Sequence, residues 1–235
     1  MTAQARGVAI VVAVVGAEST GKSTLSHALA AALRERLPRG TRVAVVAEWL
    51  REWCESTGRT PQVQEQASIL RGQHERITAA REHHDWVVAD TTPLMTAVYS
   101  HIVFGDDSLR NRAIQLHAAC ADATLLTALD LPWQPDGHQR DGAHVREPVD
   151  AVLRQWLGQA RLPYSVVHGL GEQRVANALA ALQPLMGRGP ADDLADPPVG
   201  LFTRLGREGG RGGTGWLCEC CVPGAESALK RSAGR

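Results

Sequence analysis

The residues of this chain best suited to chemistry stand together near its start, as Gly16-Ala17-Glu18-Ser19-Thr20-Gly21-Lys22-Ser23. The octet fits G-x-x-x-x-G-K-[ST] without a mismatch, and each part of that pattern answers a demand of polyphosphate. A multiply charged anion is best met by backbone N–H groups that no other acceptor claims. The first turn of a helix offers four of these, with the positive end of the helix dipole behind them. Gly16 and Gly21 let the backbone approach phosphate without a Cβ in the way. Lys22 brings an ammonium to the β and γ phosphates, and the Ser23 hydroxyl joins the shell of a Mg²⁺ ion. With Ser19 and Thr20 completing the loop, the octet implies a bound nucleoside triphosphate, ATP with Mg²⁺.

Three acids form a second set. Glu48, Asp90 and Asp130 each follow an apolar run of strand character, in "VAVVAE", "WVVAD" and "ATLLTALD". Phosphoryl transfer needs neutralised charge, an aligned acceptor hydroxyl and exclusion of water. Asp90 ends its strand as a Walker B acid does, which suits it to the metal or to a substrate hydroxyl. Glu48 suits the acceptor hydroxyl, as ligand or general base. Both also precede helices, where an acid is mildly stabilising in its own right, so either acid taken alone supports both readings.

The segment "LDLPWQPDGHQRDGAHVRE" has almost no core residues besides Trp133. A loop of this kind beside the phosphates could close over them and bring Arg140 and Arg146 to the developing charge, an effect worth about 10³–10⁵ in rate. It reads equally as a polar surface loop, and His138 and His144 read as solvated rather than metal-binding. Trp49 and Trp53, four apart around Arg51, share a helix face. Packing accounts for both, and a stacking surface for a flat ring is the sharper alternative.

These groups need a frame. The apolar run Val8–Val15 reads as a central strand, buried on both faces. A helix follows the loop, then a strand over Val43–Ala47. Thr60 and Pro61 stand as N-cap and first residue of a long helix with Val63, Ala67, Leu70 and Ile77 on one face. Trp86–Ala89 forms the third strand and Pro93–Cys120 one or two helices. A fourth strand ends near Asp130, and Glu147–Arg161 is helical. "YSVVH" is the fifth strand, and Glu172–Met186 closes the domain. Strands alternating with helices imply a parallel sheet covered on both sides, with ligands at the carboxyl ends of its strands.

Composition sets the outer bounds. Lys and Arg together number 25, as do Asp and Glu, so no global field favours nucleic acid or an anionic membrane. The N-terminal apolar run is too short to span a bilayer, and cleavage after it as a secretory signal would remove the phosphate loop. Five cysteines, three of them at Cys218, Cys220 and Cys221, do not resemble a disulfide framework, and a reducing cytoplasm is the expected setting. The expected division is a domain over 1–186 and a Gly- and Pro-rich, Cys-bearing tail over 187–235 without fixed structure. Cys218 and Cys221 have half the spacing of a zinc site, with no second pair in view.

Taken in order, "GAESTGKST", "EWLREW", "VVADTT", "LDLPWQPDGHQR" and "YSVVHGLGEQRVANAL" resemble the nicotinamide riboside kinase domain of the NadR type, a P-loop group also described as AAA-like ATPases. The likeness runs from about Ala9 to Leu185. It implies an α/β, three-layer nucleoside-kinase-like fold with a five-stranded parallel sheet and a lid. It further implies transfer of phosphate from ATP to the 5′ hydroxyl of nicotinamide riboside, in salvage toward NAD. By position, Gly16, Gly21, Lys22, Ser23 and Thr24 would hold ATP and Mg²⁺. Glu48, Arg51, Asp90, Trp133 and Asp136 would line the substrate side, and Arg140 would belong to the lid. The phosphate loop begins at residue 16 and no H-x-G-H motif follows, so the expectation is a chain that makes the mononucleotide without finishing NAD. The implied partner is a small nucleoside, with neither nucleic acid nor membrane expected and a homo-oligomer left open. A kinase for another nucleoside and a regulatory P-loop ATPase are the alternatives. Against a switch stand the missing N/T-K-x-D motif and, for a mechanical ATPase, Thr91 in place of Glu after Asp90.

Overall fold

The computed structural model describes residues 9–134 and 143–187, all within the first of the two units into which the chain divides, Met1–Pro190. Its strands are β1 (Ile10–Val15), β2 (Val43–Val46), β3 (Trp86–Asp90), β4 (Ala123–Thr127) and β5 (Ser165–Val167). The helices are α1 (Lys22–Arg36), α2 (Trp49–Thr57), α3 (Gln66–His83), α4 (Pro93–Phe104), α5 (Arg110–Cys120), α6 (Arg146–Gln159) and α7 (Gly171–Met186). All strand pairs are parallel and the sheet order is β2-β3-β1-β4-β5.

This order follows from the handedness of crossovers. The chain leaves β1 toward one side to make β2 and β3, then returns past β1 to make β4 and β5. Right-handed connections running in opposite directions place their helices on opposite faces. Accordingly Val12 and Val14 of β1 pack with Leu25, Leu29 and Leu33 of α1 and Leu179 and Leu182 of α7. The alternate residues Ala13 and Val15 pack with Leu94, Met95 and Val98 of α4 and Val149, Leu153 and Trp156 of α6. Val11 faces the same side and joins Ile77 of α3 and Cys120 of α5. A strand buried on both sides must be apolar throughout, and β1 is. The reversal of direction opens a crevice at the carboxyl ends of β1 and β3, where the register sets Val14 opposite Asp90.

One helix start differs from the sequence expectation. Thr60 and Pro61 lie outside the helix, which is entered through a 3-10 turn at Val63–Glu65 with Gln62 before it. Glu65 decides this: its carboxylate accepts the Gln62 N–H at 2.8 Å and the Arg59 guanidinium at 2.7 Å on both oxygens. A capping box of this kind outcompetes the Thr-Pro signal. The buried face of α3 is therefore Gln66, Ile69, Leu70, Gln73 and Ile77, while Val63 and Ala67 point to solvent. The domain boundary near residue 187 and the cysteines of the tail lie outside the described residues. Among the described residues no helix is long and apolar enough to cross a membrane.

Candidate active site

The phosphate loop is held open by the strand beside it. Gly16 has φ +150°, and a Cβ there would lie 2.0 Å from Thr127 Oγ1 on β4, so only glycine fits. The Thr127 hydroxyl lies 2.7 Å from the Thr20 hydroxyl and 3.2 Å from the Val15 carbonyl. Thr20 in turn donates to the Ala17 carbonyl at 2.8 Å. The Thr20 side chain therefore braces the loop from within, leaving its backbone rather than its hydroxyl for a ligand. Lys22 Nζ also donates to the Ala17 carbonyl, at 2.8 Å. Gly21, at φ 73°, precedes α1, which begins with no side-chain cap and no acid in its first turn. Those are the requirements for an anion seat at a helix start.

Two cavities meet at this loop. The first, about 610 Å³, is lined by Glu18 and Lys22 from the loop, Glu48, Arg51 and Cys54 around α2, Gln66 of α3, and Tyr99 and Phe104 of α4. Arg51 Nε stands 3.8 Å from Glu48 Oε2. Val63, Val103 and Phe104 are among the large apolar side chains exposed among the described residues, and all three line this cavity. The second, about 800 Å³, runs between α1 and α7 and includes Gly21, Thr24, Ala28, Leu131, Leu170 and Val175.

Asp90 closes β3 beneath the loop. It is 4% exposed, and its Oδ1 has no hydrogen-bond partner among the described residues. Immediately after it, Thr91 adopts φ 72° and donates its N–H to the Val14 carbonyl at 3.0 Å. A β-branched residue in the left-handed region is strained, and here the strain turns the chain sharply from Asp90 into α4. A buried carboxylate oxygen with no donor among the described residues and the Ser23 hydroxyl at the start of α1 are both hard-oxygen ligands of the kind Mg²⁺ takes. The residues present fit that ion.

The remaining expected residues divide. Trp133 is half-buried and lines neither cavity. Its neighbour Gln134 ties the segment to the loop, donating its N–H to Ser19 Oγ at 2.8 Å. Asp136, His138 and Arg140 lie outside the described residues. Arg146 is buried at the first position of α6 and donates to the Leu131 carbonyl at 2.9 Å. Asp130 does not join the other two acids: it accepts the Gly169 N–H at 2.7 Å and Arg174 Nη1 at 3.2 Å, holding the turn from β5 to α7. Trp49 packs where Gly72 leaves room, with Arg76 4.0 Å above its ring. Trp53 lies under Arg59 at 5.0 Å. Both tryptophans are half-buried, each with an arginine over its ring, an arrangement that packing accounts for.

Sequence reasoning passed over Glu18, Gln66, Tyr99 and Phe104. Glu18 lies within the matched motif at a position the pattern leaves open. The other three sit at helix positions whose shared cavity depends on contacts remote in sequence. Gln66 is 3% exposed, and its Oε1 has no partner among the described residues. Leaving such a group unpaired costs about 1–3 kcal/mol.

A family model described as an AAA domain matches residues 11–174. The chain also superposes on a NadR protein in complex with NAD and AMP-PNP, with TM-score 0.61, 19% identity, and 77% of this chain and 51% of that one covered. A NadR protein in complex with NR gives 0.60, 21%, 77% and 53%. Thymidylate kinase from Ehrlichia chaffeensis gives 0.53, 16%, 76% and 99%. No curated protein matches. These likenesses establish a P-loop kinase fold, and the chain spans about half the length of the NadR structures it matches.

Proposed function

The chain belongs to the AAA domain family, and from that premise we propose that it is an ATP-dependent small-molecule kinase. Its reaction is phosphorylation of the 5′ hydroxyl of nicotinamide riboside to the mononucleotide. The observation that carries this reading is the meeting of two cavities at one phosphate loop. One holds the uncapped start of α1 and an apolar groove suited to a nucleotide base. The other is rimmed by apolar side chains and carries Glu48 and Lys22. A hydrolytic switch has no need of the second. The likeness to a NadR protein bound to NR supports the choice of acceptor.

In this reading the amides of Gly21, Lys22, Ser23 and Thr24 take the phosphates, while Lys22 leaves the Ala17 carbonyl to follow the charge. Ser23 and Asp90 would hold Mg²⁺, which neutralises charge on the phosphate oxygens when bound. Glu48 orients the acceptor hydroxyl and receives its proton, and Arg51 keeps that carboxylate turned toward the cavity. Arg146, reaching Leu131 beside Gly21, supplies positive charge from the far side, with Arg140 of the neighbouring segment in the same role.

The test is ATP consumption across a nucleoside panel that includes nicotinamide riboside, with Lys22→Ala as control. Rapid turnover only with nicotinamide riboside, abolished in the control while the fold is retained, is the expected result. Turnover with a different nucleoside alone reassigns the acceptor. Slow hydrolysis regardless of acceptor overturns the kinase reading.

A further inference from the structure

Leu170 breaks two local rules at once. It stands at the N-cap of α7 and makes no side-chain cap, at a position where Ser, Thr, Asp, Asn or Gly is favoured and leucine is among the poorest choices. Its side chain is also 64% exposed, more than the other large apolar side chains exposed among the described residues. Neither helix capping nor core packing accounts for a leucine here, and places where such rules fail together are where binding is found. Leu170 borders the groove of about 800 Å³ along α1 and α7, and so does Leu131. The Leu131 side chain also lies against the phosphate loop, 2.9 Å from where a Cβ on Gly21 would stand.

One acid joins the two turns that carry these leucines. Asp130 directly precedes Leu131, and Gly169 directly precedes Leu170. Asp130 Oδ2 accepts the Gly169 N–H at 2.7 Å, and Oδ1 accepts from Arg174 Nη1 at 3.2 Å. The same nitrogen donates to the Gly169 carbonyl at 3.1 Å, and Nη2 donates to the carbonyls of Ala128 and Val167 at 3.4 Å. Arg174 is buried and thus directs its donors to the backbone at the ends of β4 and β5. Gly169 takes φ +97°, which glycine adopts without strain, so the turn is both permitted and pinned. An exposed apolar side chain on a fixed turn is preorganised for a flat apolar face, because little freedom remains to be lost on contact. A nucleotide base presents such a face.

We infer that Asp130 is a positioning residue for the donor nucleotide, holding Leu131 and Leu170 at fixed places as contacts for its base. The inference rests on the reading of this groove as the seat of that base. Asp130 acts through the two leucines and does not itself touch the nucleotide.

The experiment measures dissociation constants for ATP and for inorganic tripolyphosphate, both with Mg²⁺, in the wild type, Leu170→Ala and Asp130→Asn. Tripolyphosphate keeps the phosphates and lacks the base. The wild type is expected to bind ATP more tightly by about tenfold or more. Leu170→Ala should weaken ATP about tenfold and leave tripolyphosphate and the melting temperature unchanged, because an exposed side chain is removed. Asp130→Asn, which presents one acceptor oxygen where the acid uses two, should weaken ATP several-fold and leave tripolyphosphate unchanged or tighter. A purely electrostatic role has the opposite sign, since removing an acid near the loop favours both polyanions. If Asp130→Asn does not fold, Asp130→Glu, which keeps both oxygens but lengthens the link to Gly169, is judged on the same two constants. ATP binding that is unaltered or tightened in either variant overturns the inference and leaves the kinase standing. Equal losses for both ligands make the residue merely structural and overturn it too. Equal wild-type affinities for ATP and tripolyphosphate remove the base from the groove, so that part of the kinase reading fails first and the inference falls with it.

Discussion

Asp90 shows most plainly how a single side chain comes to be available for chemistry. Its neighbours at the carboxyl ends of the strands are spoken for: Thr127 is bonded to Thr20, and Asp130 is bound by Gly169 and Arg174. Asp90 alone of the three expected acids keeps a buried oxygen without a donor. Asp90→Asn preserves shape while removing the charge, so folding should persist. In that variant kcat should fall by about 10²–10⁴, with more Mg²⁺ needed for half-maximal rate in a metal titration. An unchanged metal requirement would remove Asp90 from the ion. That Asp90 and Asp130 look alike in sequence, each just past an apolar strand, explains what could and could not be read there. The strand ends are local features. The arginine that occupies Asp130 arrives 44 residues later, and nothing near Asp130 announces it.

At the scale of elements, α2 forms one wall of the cavity proposed for the acceptor, and its seat is Gly72. A Cβ at that position would stand 2.4 Å from Trp49 Nε1 and 2.6 Å from its Cδ1. Gly72→Ala is helix-favouring in isolation, yet it must push Trp49 out and carry Glu48 and Arg51 with it. The expected outcome is a several-fold rise in KM for the acceptor with KM for ATP little changed, read from initial rates with each substrate varied in turn. Equal rises in both would show α2 to be coupled to the phosphate loop instead. The order of these elements was readable because apolar runs and helical spacing are properties of adjacent residues. The start of α3 was not, since Thr60-Pro61 is a strong local signal and the Glu65 fork that overrides it draws on Arg59 as well. Nor was the cavity readable, because Gln66, Tyr99 and Phe104 meet only once α3 and α4 pack.

At the scale of the whole molecule, His117 of α5 ties the start of α4 to strand β4 of the sheet. It is 1% exposed and bridges Thr92, 2.8 Å from Nδ1, and Thr124, 2.9 Å from Nε2. Burial pushes its pKa down to about 4. An unfolded chain takes up this proton near pH 6.5, the folded one only near 4, so between those values the unfolded state binds more protons. Stability is then full above about pH 6.5 and drains as pH falls toward 4, by about 3 kcal/mol in all. Melting curves should fall across that window in the wild type and flatten in His117→Gln. A variant as pH-sensitive as the parent would assign the slope to other groups.

Gly21 and Lys22 are consecutive in the chain, yet the first borders the groove along α1 and α7 and the second borders the chamber under α2. The phosphate loop at this point is thus the partition between the two compartments. In the proposed reaction, donor and acceptor are held on its two sides. One hybrid molecule joining a nucleotide to a riboside through a short phosphate bridge would straddle that partition and bind both compartments at once.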